Sequence, residues 1–407
     1  MNPANGLVAP KASIIIRNYN YAEFLRDALD SALIQTYPLV EVIVVDDGST
    51  DDSRDILNSY SGRCLVVLQD NGGEGSAINA GFAVAKGDIV LFLDSDDVLA
   101  PDAVSQIVSV WAPDVSHVHF LLYIMDRDGM LRLTNTPQRE IVNRGLAENL
   151  SRFGEVLSGP QSSNAYAAWA LRRILPLAPI DWRRAPDTYL NALTMAQGRT
   201  ALVYAHLGGY RVHSRNLTHR NALEDNFRRD IIRLHPRLHE AIRSFVGEEH
   251  FAALGAILPA RHWQLRLLSY LLDRENHPFP SDRLGLLIGK TTFALATRPN
   301  TTALRRIVLL GGFLALVAMP KRLRRAVLPR MLSLARATGY SMHAGRAKLF
   351  GKAPPHIHWR ESFHRLRQLD KAPNAGTTIR APSEHKETGS PPEAQSANCD
   401  IAPQSHA

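Results

Sequence analysis

Cysteine is scarce in this chain of 407 residues, and its scarcity excludes two kinds of site. The two cysteines are Cys64, in an apolar run, and Cys399. Two cysteines without ligand spacing form neither a disulfide framework nor a cysteine-rich zinc site, and such low usage suits a reducing compartment. We therefore expect a cytoplasmic protein.

The sequence also has no segment typical of export or of membrane crossing. Residues 1–11 contain no basic stretch followed by an apolar one, so we expect a flexible N-terminus and no secretory signal peptide. The uncharged apolar run 307–319 is shorter than the about 20 residues that span a bilayer. Basic residues flank this run. Two interpretations stay open: peripheral contact of 303–325 with the inner face of a membrane, or a buried core helix with solvated ends.

Charge and hydrophobicity are distributed unevenly along the chain. Hydrophobic residues make up 45% of it, enough for one large core or two smaller ones, which excludes disorder along the whole length. The formal net charge is +8, and the positive charge lies mostly after residue 210. These basic residues lack interleaved aromatic side chains, so no nucleic-acid partner is expected.

The first half alternates short apolar runs with helical patterns. The runs are apolar almost throughout, which is typical of strands covered on both faces. The alternation predicts an α/β fold with a parallel sheet flanked by helices. The predicted elements are strands at 12–16, 41–45, 64–68 and 88–93 and helices at 21–35 and 75–85.

The second half has a different texture. Segments rich in leucine, alanine and arginine predict an α-helical C-terminal region over 226–370. Residues 371–407 have almost no bulky apolar side chains, too few to offset the entropy lost on folding, so we expect a disordered tail. The helices expected in the helical region include 249–258, 262–272 and 303–319.

Polar residues gather just after three of the predicted strands, at 17–20, 46–51 and 94–97. The carboxyl ends of parallel strands meet at one edge of a sheet, and ligands of open α/β sheets bind there. An aspartate at 46–51 could accept the imide N–H of a uracil ring or the ribose hydroxyls. The glycines of 71–79 allow close approach of a phosphate to a helix N-terminus. The pattern is not GxGxxG, which counts against a dinucleotide-binding fold.

The acidic run 94–97 is the strongest indication of a metal. Its carboxylates would repel one another and lose hydration unless a cation neutralised them. Carboxylate oxygens suit Mg²⁺ or Mn²⁺, ions that bridge to substrate phosphates. The alternative is a solvated turn in which Asp97 caps a helix that begins at Val98.

Four segments in this order resemble the family 2 glycosyltransferases, which have a GT-A fold. The matching stretch covers about residues 12–220. The resemblance implies a GT-A domain over 12–225, with a mostly parallel sheet flanked by helices. One departure is at Arg17 and Asn18, where many relatives have Pro-Thr, and it leaves the base of the nucleotide open. The matching segments are 13–20, 41–51, 71–79 and 86–97.

The resemblance also implies roles for individual residues. Asp96 is the expected ligand of a Mg²⁺ or Mn²⁺ ion, and His213 approaches the metal or diphosphate, although a lone histidine is more often structural. Arg211 could neutralise phosphate charge or pair with a core carboxylate. Asp187 matches the catalytic base, and its alternative role is that of a simple first-turn helix residue. The residues expected to bind the nucleotide-sugar are Asn18, Tyr19, Asp46, Asp47, Asn71, Asn79, Asp94, Ser95 and Arg211.

These roles describe an inverting transfer of a sugar from a nucleotide-sugar, with UDP expected, to a glycan or lipid-linked acceptor in cell-surface polysaccharide synthesis. Two alternatives compete. A sugar-nucleotide pyrophosphorylase usually has a glycine-rich, basic loop after the first strand, and none follows Ile16. A non-catalytic nucleotide-sugar or glycan-binding relative is expected to lose the metal carboxylates or the base, whereas Asp94, Asp96 and Asp187 are present.

Overall fold

The computed structural model describes the domain that carries these motifs and part of the helical region that follows. The described residues are 9–132, 145–154, 156, 159–178, 181–216, 225–297, 303–320, 322–324 and 327. The predicted flexible start, apart from 9–11, and the predicted disordered tail lie outside them, as does 328–370 of the predicted helical region.

One nine-stranded mixed sheet organises the first half, in the order β3-β2-β1-β4-β8-β6-β9-β5, with β7 paired to β6. β1 to β4 run parallel, as predicted, and β8 runs antiparallel to both β4 and β6. The predicted α/β sheet flanked by helices is therefore confirmed. The strands are β1 (Ala12–Asn18), β2 (Val40–Asp47), β3 (Leu65–Gln69), β4 (Ile89–Asp94), β5 (Val98–Leu99), β6 (Val115–Met125), β7 (Leu131–Arg132), β8 (Asn164–Ala167) and β9 (Arg199–Arg211).

Helices cover both faces of the sheet. Successive residues of a strand point to opposite faces, so in β1 Ile14 and Ile16 pack under α1 and α4, whereas Ile15 packs under α3 and α7. The helices of the first half are α1 (Ala22–Leu33), α2 (Ser53–Asn58), α3 (Glu74–Val84), α4 (Ala103–Ser109), α5 (Leu146–Arg152), α6 (Ala168–Leu171) and α7 (Pro186–Met195).

The second half is helical where it is described. Leu238 and Ile242 of its first helix pack into the same core as α7, so this helix fastens the helical region to the sheet. The domain boundary near 225 stays a prediction. The helices are α8 (Asp225–Val246), α9 (Glu248–Ala253), α10 (Ala260–Leu272), α11 (Leu284–Ala296) and α12 (Ala303–Ala318). Among the described residues, no helix combines the length and the apolar character needed to cross a membrane.

Two local predictions are wrong. Val98 and Leu99 form strand β5, and the next helix begins only at Ala103, so Asp97 caps no helix. The reason is tertiary, because β5 pairs with β9 across more than 100 residues of chain. The helix expected at 249–258 ends at Ala253, and Gly255 adopts a left-handed φ of 58° shortly after that end.

Candidate active site

The acidic run at the end of β4 forms a compact group of carboxylates. Asp94, Asp96 and Asp97 each place a carboxylate oxygen within 4.8 Å of the others. Asp94 remains one-third exposed, Asp96 is nearly buried and Asp97 is fully buried. Burial, together with the charges of Asp96 and Asp94, raises the pKa of Asp97 well above its usual range. An arrangement of this kind is costly unless a cation or proton compensates it.

Arg211 donates hydrogen bonds to this group of carboxylates. Its backbone N–H donates to Asp97 Oδ1 (2.8 Å), and its Nε donates to the carbonyl of Asp96 (2.8 Å). Its Nη2 pairs with Asp27 at 2.9 Å, and the guanidinium lies 4.8 Å from the ring centroid of Phe24. Arg211 is 1% exposed, so it has no access to a phosphate. The burial and the contacts of Arg211 favour the alternative role, pairing with a carboxylate, over a contact with the nucleotide-sugar.

His213 meets the acidic run from the loop after β9. Its Nε2 lies 2.9 Å from Asp96 Oδ2, and its ring stacks on Phe24 with centroids 4.8 Å apart. Its Nδ1 accepts the backbone N–H of Arg215 (3.2 Å), which leaves Nε2 as the nitrogen directed at Asp96. The structure thus brings together the two residues predicted to hold the metal.

Arg17 lies among carboxylates at the end of β1. It is the register partner of Asp94 and forms an ion pair with it. Its Nη1 also lies 3.9 Å from Glu74 Oε2. Burial opposes the charge on Arg17, but Asp94, Glu74 and Asp187 outweigh it and raise the pKa of Arg17. The buried guanidinium of Arg17 therefore neutralises part of the surrounding acidic charge.

Glu74 is a member of this group that the sequence interpretation missed. It is the first residue of α3, and its carboxyl accepts the backbone N–H of Ala185. Burial, with Asp94 and Asp187 nearby, raises the pKa of Glu74 to about 7 although Arg17 opposes the shift. The sequence around Glu74 does not indicate that it belongs to this acidic group, because Asp94 and Asp187 are close to it in space but not in the sequence.

Asp187 faces the same group from the first turn of α7. Burial raises the pKa of its carboxyl above the usual range, and N–H and O–H donors of Thr188 and the charge of Arg17 oppose the shift. The preceding Ala185 has a left-handed φ of 52°, an uncommon conformation for alanine. It is the residue whose N–H reaches Glu74, so the unusual turn links the start of α7 to the start of α3.

The end of β2 contributes Asp47, which organises the glycine loop. Asp47 accepts the backbone N–H groups of Gly72 and Gly73, both at 2.8 Å, and Gln69 Nε2 at 2.5 Å. Gly73 has a φ of 86°, and a Cβ there would lie 2.9 Å from the carbonyl oxygen of Arg183. Glycine is therefore required where this loop meets the segment before α7.

The other predicted donor contacts differ in exposure. Asn18 is buried and donates to Asp46 Oδ1 (3.0 Å) and Ser49 Oγ (3.1 Å), and Asp46 also pairs with Arg54. Asp46 is fully buried, which favours a structural role for it. Tyr19 is 45% exposed and free to meet a ligand face, whereas Ser95 is buried beside Asp94.

Two asparagines predicted to bind the donor take different positions. Asn71 is exposed and its Oδ1 accepts Nη2 of Arg183 (2.5 Å) at the mouth of the glycine loop. Asn79 donates to the carbonyl of Leu177 (2.8 Å) and accepts its N–H (2.7 Å). These two bonds anchor the segment before α7, so the contacts of Asn79 favour a structural role over donor binding.

We expect Glu74→Gln to stabilise the protein in alkaline but not in acidic solution. The pKa of Glu74 is about 7 in the folded chain and near 4.5 in an unfolded one. The folded state therefore holds the proton more tightly, and stability is lost as pH rises between these values. Thermal unfolding at pH 5 and pH 8 measures the effect. The exposed Glu249→Gln on α9 is the control, and an equal shift of Tm at both pH values in Glu74→Gln contradicts the raised pKa.

Comparison with known proteins agrees with this geometry. The family model Glycosyl transferase family 2 matches residues 13–162, which include β1 to β4, the glycine loop and the acidic run. An uncharacterized glycosyltransferase of Nostoc sp. is 36% identical over 212 residues, which cover 51% of this chain and 66% of that protein. Residues 13–162 belong to glycosyl transferase family 2. The domain that contains this match has the strand order described above.

Other similarities are more limited. The chondroitin synthase of Pasteurella multocida is 44% identical over 98 residues, which are 23% of this chain and 10% of the synthase. The crystal structure of S. aureus TarS is 20% identical, with a TM-score of 0.49, and the alignment covers 74% of this chain and 50% of TarS. The chain spans less than two thirds of the length of the curated relatives that it matches.

Proposed function

We propose that this chain is an inverting, metal-dependent glycosyltransferase. It moves a sugar from a nucleoside-diphosphate donor, a UDP-sugar, to a hydroxyl of a glycan or lipid-linked acceptor in the synthesis of cell-surface polysaccharide. The observation that carries the proposal is the meeting of Asp94 and Asp96, at the end of β4, with Asp187 at the start of α7 around the buried cation Arg17. Metal, donor and base functions then share one site.

Asp96 and His213 are the residues that we propose to hold a Mg²⁺ or Mn²⁺ ion. The surroundings fit such an ion, because carboxylate oxygens of Asp94, Asp96 and Asp97 lie within 4.8 Å of one another and His213 Nε2 lies 2.9 Å from Asp96 Oδ2. When bound, the ion supplies Lewis-acid stabilisation of the departing nucleoside diphosphate. Arg211 donates to the carbonyl of Asp96 and to the carboxylate of Asp97, and these hydrogen bonds hold the acidic run in position.

The donor is proposed to lie across the ends of β1, β2 and β4. Asp94 is one-third exposed and available to sugar or ribose hydroxyls, and the exposed Tyr19 offers a ring face to the base. Asp47 shapes the glycine loop, whose backbone approaches the donor closely. The buried cation Arg17 is proposed to lie near the reacting centre and to stabilise anionic groups of the donor.

Asp187 is proposed to remove the proton of the acceptor hydroxyl. As the acceptor oxygen forms its bond to the anomeric carbon, the Asp187 carboxylate takes the proton, and the bond to the nucleoside diphosphate breaks on the opposite face of the sugar. A base on the side away from the leaving group is what inversion requires. The cation Arg17 favours the ionised form of Asp187, as a base needs.

Release of a nucleoside diphosphate tests the proposal. We expect the full chain, incubated with UDP-sugars, Mn²⁺ or Mg²⁺ and hydroxyl acceptors, to release UDP, and we expect a chelator to stop the release. A thermal-shift screen of UDP- and GDP-sugars identifies the donor first, because bound ligand raises Tm by mass action. GDP-sugars serve as the control for the identity of the nucleotide's base. A chain that no nucleotide-sugar stabilises and that releases no diphosphate contradicts the proposed function.

A further inference from the structure

Among the positions of α12 whose exposure the structure describes, the exposed ones carry no polar side chain. Leu304, Ile307 and Val308 are 73%, 66% and 64% exposed. A helix on the surface of a protein normally shows polar residues to water, so this arrangement is unusual. The exposed positions repeat at intervals of three and four residues and form one stripe along the helix: Ala303, Leu304, Ile307, Val308, Gly311, Leu314, Ala315 and Ala318.

The stripe is not part of the core that holds α12 in place. The opposite side of the helix already supplies that core, since Leu316 and Phe313 pack with α8 and α10, and Val317 packs with α10 and α11. The helix is thus apolar on both sides, with one side buried in the protein and one side facing outward. The sequence interpretation that made this segment a buried core helix accounts for only the first side.

The neighbouring helix α11 extends the outward apolar surface. Phe293 is 71% exposed and Leu286 is 53% exposed, and both border a shallow groove beside Trp263. Lys290 also borders this groove, and its Nζ lies 4.6 Å from the centroid of the Trp263 ring. A lysine beside exposed apolar and aromatic side chains is typical of surfaces that meet the boundary between lipid headgroups and acyl chains.

The charge of this part of the chain identifies the kind of partner. Residues 283–360 contain no aspartate or glutamate but fifteen lysines and arginines. Within the described residues, Arg283 precedes α11 and Arg322 follows α12, and both are exposed. A purely positive surface repels a second copy of itself, whereas an anionic lipid surface attracts it. Charge complementarity therefore favours a membrane over self-association.

We propose that the outward faces of α11 and α12 form a docking surface for an anionic lipid bilayer, with the apolar stripe at the depth of the acyl chains and the basic residues among the headgroups. The contact is peripheral, since the helices lie on the membrane rather than crossing it. It depends on neither the metal nor the nucleotide-sugar, so its failure and the failure of the proposed transfer reaction are distinguishable.

Vesicle co-sedimentation of the full chain tests this surface. We expect binding to phosphatidylcholine vesicles that contain about 30% phosphatidylserine, weaker binding to pure phosphatidylcholine, and release by high salt. The double variant Ile307→Gln with Val308→Gln should lower the partition coefficient at least about tenfold, because it removes two apolar side chains from the contact. Lys290→Glu should weaken binding to the anionic vesicles alone.

A matched control is Leu68→Gln on β3, where a leucine is 58% exposed on another element. This control and the double variant should keep the Tm of the parent chain. Binding that the double variant does not change, or equal binding to neutral and anionic vesicles, overturns the proposal. If the parent chain ignores vesicles but forms a dimer that the double variant abolishes, the surface belongs to a second copy instead.

Discussion

Asp187→Asn is expected to lower kcat by about a hundredfold to ten-thousandfold while donor binding remains unchanged. Asparagine has the size of aspartate and still accepts the donors of Thr188, but it cannot take a proton from an acceptor hydroxyl. Turnover with a UDP-sugar and binding of the same donor, measured by thermal shift, separate the two effects. If turnover is unchanged, the base lies elsewhere in the site, and Glu74 is then the next carboxyl to replace.

The control for this variant is Glu148→Gln, which removes an exposed carboxylate from the first turn of α5. Both variants lose a favourable interaction with a helix N-terminus, so a purely structural Asp187 would behave as Glu148 does, with a small loss of Tm and no loss of rate. The parent enzyme should also slow as pH falls through the pKa of Asp187. Burial raises this pKa, so we expect the decline at a higher pH than an ordinary aspartate would give.

Asp96→Asn should reduce metal-dependent turnover at least about a hundredfold. Lewis-acid stabilisation of a leaving diphosphate contributes several kcal/mol, and about 1.4 kcal/mol corresponds to tenfold in rate. The substitution keeps the hydrogen-bonding shape beside His213 and Asn216 but removes the charge that attracts a divalent ion. Turnover as a function of Mn²⁺ concentration, together with Mn²⁺ binding in solution, measures both parts of the effect.

Asp88→Asn is the matched control, because Asp88 is an exposed aspartate just before the opposite end of β4. It should keep the activity and the metal requirement of the parent chain. Full turnover in Asp96→Asn, with an unchanged requirement for Mn²⁺, would exclude Asp96 as a metal ligand. In that case Asp94 or Asp97, the other members of the carboxylate group, would have to supply the binding.

The parts of the fold that the sequence predicted correctly are those with strong local patterns. The β-branched runs at 12–16 and 41–45 lie in β1 (7 residues) and β2 (8 residues), which extend beyond them, and the helix expected at 75–85 is α3, shifted by one residue. Short runs that are apolar throughout are typical of strands covered on both faces, as in a parallel sheet flanked by helices. Since the carboxyl ends of such strands share one edge, the convergence of the motifs at 17, 47 and 94 followed from the same patterns.

Tertiary structure decided the partners of the charged residues. Glu74 at the start of α3 lies near Asp187 at the start of α7 only in the folded chain, because 112 residues separate them in the sequence. The hydrogen bond from Arg211 N–H to Asp97 likewise depends on the pairing of β5 with β9. Local sequence records which side chains carry charge, but desolvation and opposing charges act through space, so pKa shifts and ion pairs arise only when distant segments meet.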